Sequence, residues 1–94
     1  MLSQEETKEV IRLIHFLKEL NIPFIEDSDK IKIMGQILEM DLYIREVTIK
    51  PINGNILIIE YLGRSLIFIV GERKETINID AVLKYKNGYL IISY

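Results

Sequence analysis

From Ser3 to Leu20 the apolar positions fall at helical spacing. Val10, Leu13, Ile14, Leu17 and Leu20 form one stripe, and Glu5, Lys8, Glu9, Arg12, Lys18 and Glu19 take the other side. Ser3 and Glu6 have the spacing of a capping box, in which each side chain meets the other's free backbone N–H. Asn21 suits a left-handed C-cap, and Pro23 cannot continue a helix. The spacing predicts a helix over about 3–20.

After Ile22 the period becomes two. Strands are expected over 23–26, around Ile31 and Ile33, over 38–44, around Val47 and Ile49, and over 55–62, 65–70, 76–85 and 89–94. Gly35 reads as a bulge or tight turn within this pattern. The apolar phase slips between Ile44 and Val47, as a bulge near Arg45–Glu46 would cause. About six to seven strands are expected in all, in a sheet that can curl or become barrel-like. Asn53-Gly54 and Asn87-Gly88 are hairpin turns by composition, Gly63-Arg64 is a turn, and 71–75 is a polar loop. Short turns put successive strands side by side and antiparallel, so the expected architecture is α+β: an N-terminal amphipathic helix on an antiparallel meander.

The meander carries more apolar surface than one helix covers. Ile56-Leu57-Ile58-Ile59, Leu66-Ile67-Phe68-Ile69-Val70 and Leu90-Ile91-Ile92 are continuous runs, which call for burial on both faces. A helix about 10 Å wide spans roughly two strands at about 4.8 Å spacing. The sheet therefore either curls toward a barrel or packs against a second copy. The homodimer is favoured, with Ile67, Ile69, Leu90 and Ile92 as its interface.

Composition narrows the class without naming an activity. Ninety-four residues, 49% of them hydrophobic, fill one domain and argue against disorder. Isoleucine dominates, alanine occurs once (Ala81), and the surface is rich in Lys and Glu, a usage seen in thermophiles. The net charge of −2 does not favour tight non-specific binding to nucleic acid. Cysteine is absent, which excludes disulfides and thiolate zinc sites and suits a reducing, cytoplasmic setting. No apolar run reaches about 18 residues, and the first residues lack a signal peptide's pattern, so no membrane partner is expected. No cofactor is expected either. The five glycines form neither a P-loop nor a dinucleotide fingerprint, and no serine sits in a nucleophile elbow. His15 is the one imidazole and has no partner in the sequence, so no metal site is assigned.

Two constellations carry candidate chemistry. Glu39 and Asp41 share a strand face, and Glu60 lies on the strand after the next turn. Three carboxylates gathered this way suit a hard divalent cation; the simpler reading is the polar face of a half-solvated sheet. Residues 35–62 resemble the core of the PD-(D/E)xK nucleases, a strand with Asp followed by an apolar strand ending in Glu-x-Lys. Asp41 matches the Asp and Glu60 the Glu, but Leu62 stands where the Lys belongs. The resemblance implies a metal-dependent nuclease or a degenerate relative. Separately, Arg64, Lys84 and Lys86 accompany Tyr85 and Tyr89, and cations beside strand tyrosines can hold a single-stranded nucleic acid. Against that stands the ordinary use of edge lysines to block aggregation. The favoured function is a non-enzymatic association domain, with the nucleic-acid module second and the nuclease third.

Overall fold

The computed structural model describes residues 2–94. Helix α1 spans Gln4–Glu19, with Ser3 as N-cap and Leu20 as C-cap. The capping box is complete: Ser3 Oγ accepts from the Glu6 N–H, and the Ser3 N–H donates to Glu6 Oε1, both at 3.1 Å. Asn21 follows with φ of 55°, the left-handed exit expected of it. The Ser3 N–H is the chief reason the Glu6 carboxyl is held below its ordinary value, and the Ser3 hydroxyl and Arg64 push the same way. Such a group stabilises the fold above its unfolded value, and the benefit disappears as pH falls through the folded value. Glu6→Gln should therefore melt below the parent at pH 7. The gap should begin to shrink as pH drops below the ordinary value of 4.5 and then close; a gap that stays constant to pH 3 would mean that the carboxylate's charge is immaterial.

Eight strands follow: β1 Phe24–Asp27, β2 Lys30–Asp41, β3 Glu46–Pro51, β4 Leu57–Leu62, β5 Ser65–Val70, β6 Arg73–Ile77, β7 Val82–Lys86 and β8 Tyr89–Ser93. All pairings are antiparallel, in the order β6-β5-β4-β3-β2-β8-β7, with β1 also on β2. The path is open, with β6 and β7 at its ends, so the sheet is not closed into a barrel. Strand β2 is the pivot. Its first half pairs with β1 and β8, and its second half with β3. Inward residues of both halves (Ile31, Ile33, Leu90 and Ile92 on one side; Val47, Ile49, Leu57, Ile59, Leu66 and Phe68 on the other) join a single core with Leu13, Phe16 and Leu17 of the helix. The sheet bends around that core, and the molecule measures 33 × 29 × 28 Å.

Several local expectations are corrected. Residues 42–45 form a hairpin tip rather than strand, because Asp41 Oδ1 accepts from the Tyr43 and Ile44 N–H groups and carries the chain round. The irregularity in pairing lies at Leu38, between the Ile37–Ile49 and Glu39–Thr48 pairs, and not at Arg45–Glu46. Asn53-Gly54 does not form a tight mirror-image turn: neither residue has positive φ, and β3 reaches β4 through residues 52–56. Asn87-Gly88 does form one, with φ of 53° and 81°. The stretch 76–85 is two strands, since the chain leaves one edge of the sheet after Ile77 and joins the opposite edge at Val82. Arg73–Glu75, expected as loop, belongs to β6.

The helix also closes the β6 edge. Arg12 bonds Glu9, Glu75 and the Thr76 carbonyl, the Asn78 N–H donates to Glu9, and Arg73 pairs with Glu19 at 2.9 Å. Among the described residues no such bonds join the helix to β7, and Val82 there is 60% exposed.

Candidate functional site: the two outward sheet faces

Register decides which side chains meet on the outside. In the β2–β5 half, Val47, Ile49, Leu57 and Ile59 point into the core, so their alternates point out. Asp41 pairs with Glu46 and Glu46 with Glu60, so three carboxylates stand directly opposite one another on adjacent strands. Directly opposed side chains have Cβ atoms about 4.5–5.5 Å apart, and like charges there repel. Glu39 lies one row away, opposite Thr48. Glu39, Asp41, Glu46 and Glu60 have no ion-pair partner among the described residues. Arg45, next to Glu46 in the chain, rests over the Tyr61 ring at 5.8 Å.

The sheet thus brings the three predicted acids to one face and adds Glu46, which no local pattern in the sequence singles out. It does not bring them round a point: among the described residues no three acidic or imidazole groups are placed to hold a metal ion. Asp41 is occupied in capping its turn. Leu62, at the resemblance's Lys position, is 55% exposed, and β5 follows directly after the turn.

Beside the acids runs an apolar band. Ile58 opposes Ile69, and Ile67 opposes Glu60; all three isoleucines are half-buried on the outward face. The hairpin tip is a separate apolar patch: Leu42 is 61%, Tyr43 95% and Ile44 56% exposed, and Leu42 lines a hollow with Tyr61, Leu66 and Leu83 on the core side of the sheet. Lys50 and Lys74 border this face on its other side.

The β1-β2-β8-β7 half presents the opposite sign. Ile25, Lys32, Ile91 and Lys84 form one outward row, and Met34, Tyr89 and Lys86 the next. Lys32, Lys84 and Lys86 have no ion-pair partner among the described residues, whereas Lys30 meets Asp29 at 3.7 Å and opposes Asp27. Carboxylates at this rim, Glu26, Asp27 and Asp29, add to the effect of burial in pushing the Tyr94 phenol up.

The predicted nucleic-acid set divides. Lys84, Lys86 and Tyr89 share this face. Tyr85 lies on the other side of β7 and donates its hydroxyl to the Gly35 carbonyl at 2.7 Å. Arg64 is not on this face; it lines a cleft with Ser3 and Glu6. The predicted interface divides too. Ile67 and Ile69 face outward as expected, but Leu90 and Ile92 are wholly buried against the helix side, and that assignment is corrected. In an edge-to-edge run of apolar residues, nothing local says which parity faces in; Ile91 is the outward member. His15 is exposed on the helix beside Arg12, Glu19 and Arg73. A wide-open hollow of about 590 Å³ is lined by Met34, Gly35, Lys50, Pro51, Ile52 and Tyr85, with Lys50 as its one charged side chain.

No protein-family model, no curated protein and no solved structure matches this chain. No helix of the described residues is long and apolar enough to cross a membrane.

Proposed function

We propose that this chain is a non-enzymatic association module whose outward sheet surface packs against another copy of itself. The observation that carries the reading is the half-buried outward band of Ile58, Ile67 and Ile69, with the exposed Leu42-Tyr43-Ile44 tip as a second apolar patch. A hairpin tip with three large apolar side chains largely in water is costly to keep unless something covers it. The helix cannot, since it is spent on the inner face. Sedimentation velocity from roughly 1 to 500 μM, a range suited to a modest interface, should show a weight-average mass rising above the monomer's 11.0 kDa. A constant monomer mass across that range overturns the proposal. A second reading, a single-stranded nucleic acid on the lysine face, draws support from Lys84, Lys86 and Tyr89 lying together with Lys32.

A further inference from the structure

We infer that the contact between copies is face-to-back, with the lysine face of one copy seated on the carboxylate face of the next. This rests on the self-association proposed above and specifies its geometry. A chain of net charge −2 has ample scope to intersperse its charges, yet within each half of the sheet unpaired charges of one sign stand together, with Lys50 and Lys74 only bordering the acidic rows. Asp41, Glu46 and Glu60 oppose one another with no ion pair, and Lys32, Lys84 and Lys86 cluster with none on the other half. Each cluster weakens the isolated fold through like-charge repulsion, and each is relieved by the other.

The spacing also fits. Lys32 and Lys84 flank Ile91 two strands apart, and Asp41 and Glu60 flank Glu46 two strands apart. At about 4.8 Å per strand both pairs span roughly 10 Å. Each face keeps an apolar centre beside its charges: Ile91, Met34 and Tyr89 on one, Ile58, Ile67 and Ile69 on the other. The two surfaces are different parts of the chain, so the contact is heterologous. It leaves one free face of each kind at the ends, and copies continue into a ring or an open chain instead of stopping at a two-fold dimer. Three rows over four strands cover only about 300 Å², which belongs with weak, transient contacts. Complementary charge then governs assembly, and salt weakens it.

The test uses two neutralised variants of the full chain. One carries Lys32→Gln, Lys84→Gln and Lys86→Gln. The other carries Glu39→Gln, Glu46→Gln and Glu60→Gln and keeps Asp41, which caps its turn. All six positions are at the surface, and circular dichroism checks that both variants fold. The parent should form species beyond dimer at low salt and lose them in about 0.5 M NaCl. Each variant alone should be at least about tenfold weaker in self-association. An equimolar mixture should regain affinity and stop at twice the monomer mass, because only one competent face of each kind is present. If the parent associates but either variant does so equally well, the face-to-back geometry is wrong while self-association stands. A parent that stays monomeric removes both. A labelled oligothymidylate is titrated in parallel. Its binding to the parent, lost in the lysine variant while the parent stays monomeric, would assign that face to a polyanionic strand and overturn the inference.

Discussion

Gly35→Ala should cost about 3 kcal/mol, the upper part of the usual range for overpacking, and lower the melting temperature by roughly 12–24 °C for a domain of this size. The reason is a collision with backbone. A methyl group at Gly35 would strike the Lys50 carbonyl oxygen and stand 2.8 Å from Pro51 Cα and 2.9 Å from the Lys50 carbonyl carbon. None of these atoms can swing aside as a side chain would. Gly35 is also where β2 changes partners: its N–H donates to the Gly88 carbonyl, its own carbonyl accepts from Tyr85, and it opposes Pro51 in β3. Displacing it disturbs the seam between both halves of the sheet. The comparison is Gly71→Ala, where the added methyl meets open space and only the left-handed backbone, φ 58°, resists it. That change should cost about 1 kcal/mol. Equal losses at the two positions, read by thermal denaturation, would show that crowding at the seam is not the cause.

How much of this was legible in the chain differs by element. The helix was, because its cap, stripe and exit residue all agree. The Asn87-Gly88 hairpin was, because both residues adopt the backbone that their types favour. The Asn53-Gly54 turn was not: Gly54 packs against Ile22, whose Cγ1 would stand 3.4 Å from a methyl there, and against Pro51 three residues back, so packing and not turn propensity shapes that connection. The break between β6 and β7 was hidden because alternation runs unbroken through Ile77, Ile79, Ala81 and Leu83 while the chain crosses from one edge to the other. Period two reports that a residue faces the core; it does not report which strand lies beside it.

The candidate faces follow the same logic. Glu39, Asp41 and Glu60 could be placed on one side from alternation, since β2, β3 and β4 pair in chain order, but no local pattern singles out Glu46 on the intervening β3. The lysine face could not, because it depends on β8 and β7 joining the far side of β2. Alternation of Lys30 and Lys32 with Ile31 and Ile33 fixes their outward direction, but only strand order brings Lys84 and Lys86 to them. The same gap explains Leu90 and Ile92. A continuous apolar run announces burial without choosing a parity, and the choice is made by Leu90 and Ile92 opposing Ile33 and Ile31.

Parity can be read by substitution. Phe68→Ala should cost about 4 kcal/mol, within the range for truncating a buried aromatic, and lower the melting temperature by roughly 16–32 °C. Phe68 is fully buried and meets Phe16 of the helix with ring centroids 6.4 Å apart, so truncation opens a cavity where the helix rests on the sheet. Its neighbour Ile69 points the other way and is half-buried on the outward band. Ile69→Ala should cost about 1 kcal/mol, since its site borders solvent and no closed cavity remains. Denaturant titration of both variants at a concentration low enough to keep the parent monomeric gives the intrinsic difference. Repeating it at high concentration should widen the Ile69→Ala loss, because association stabilises the parent by mass action and the variant lacks part of the contact. The Phe68→Ala loss should show no comparable widening from lost contact area, since that ring is not part of the outward surface. Equal losses at both positions would mean that the strand's inward and outward residues have been exchanged.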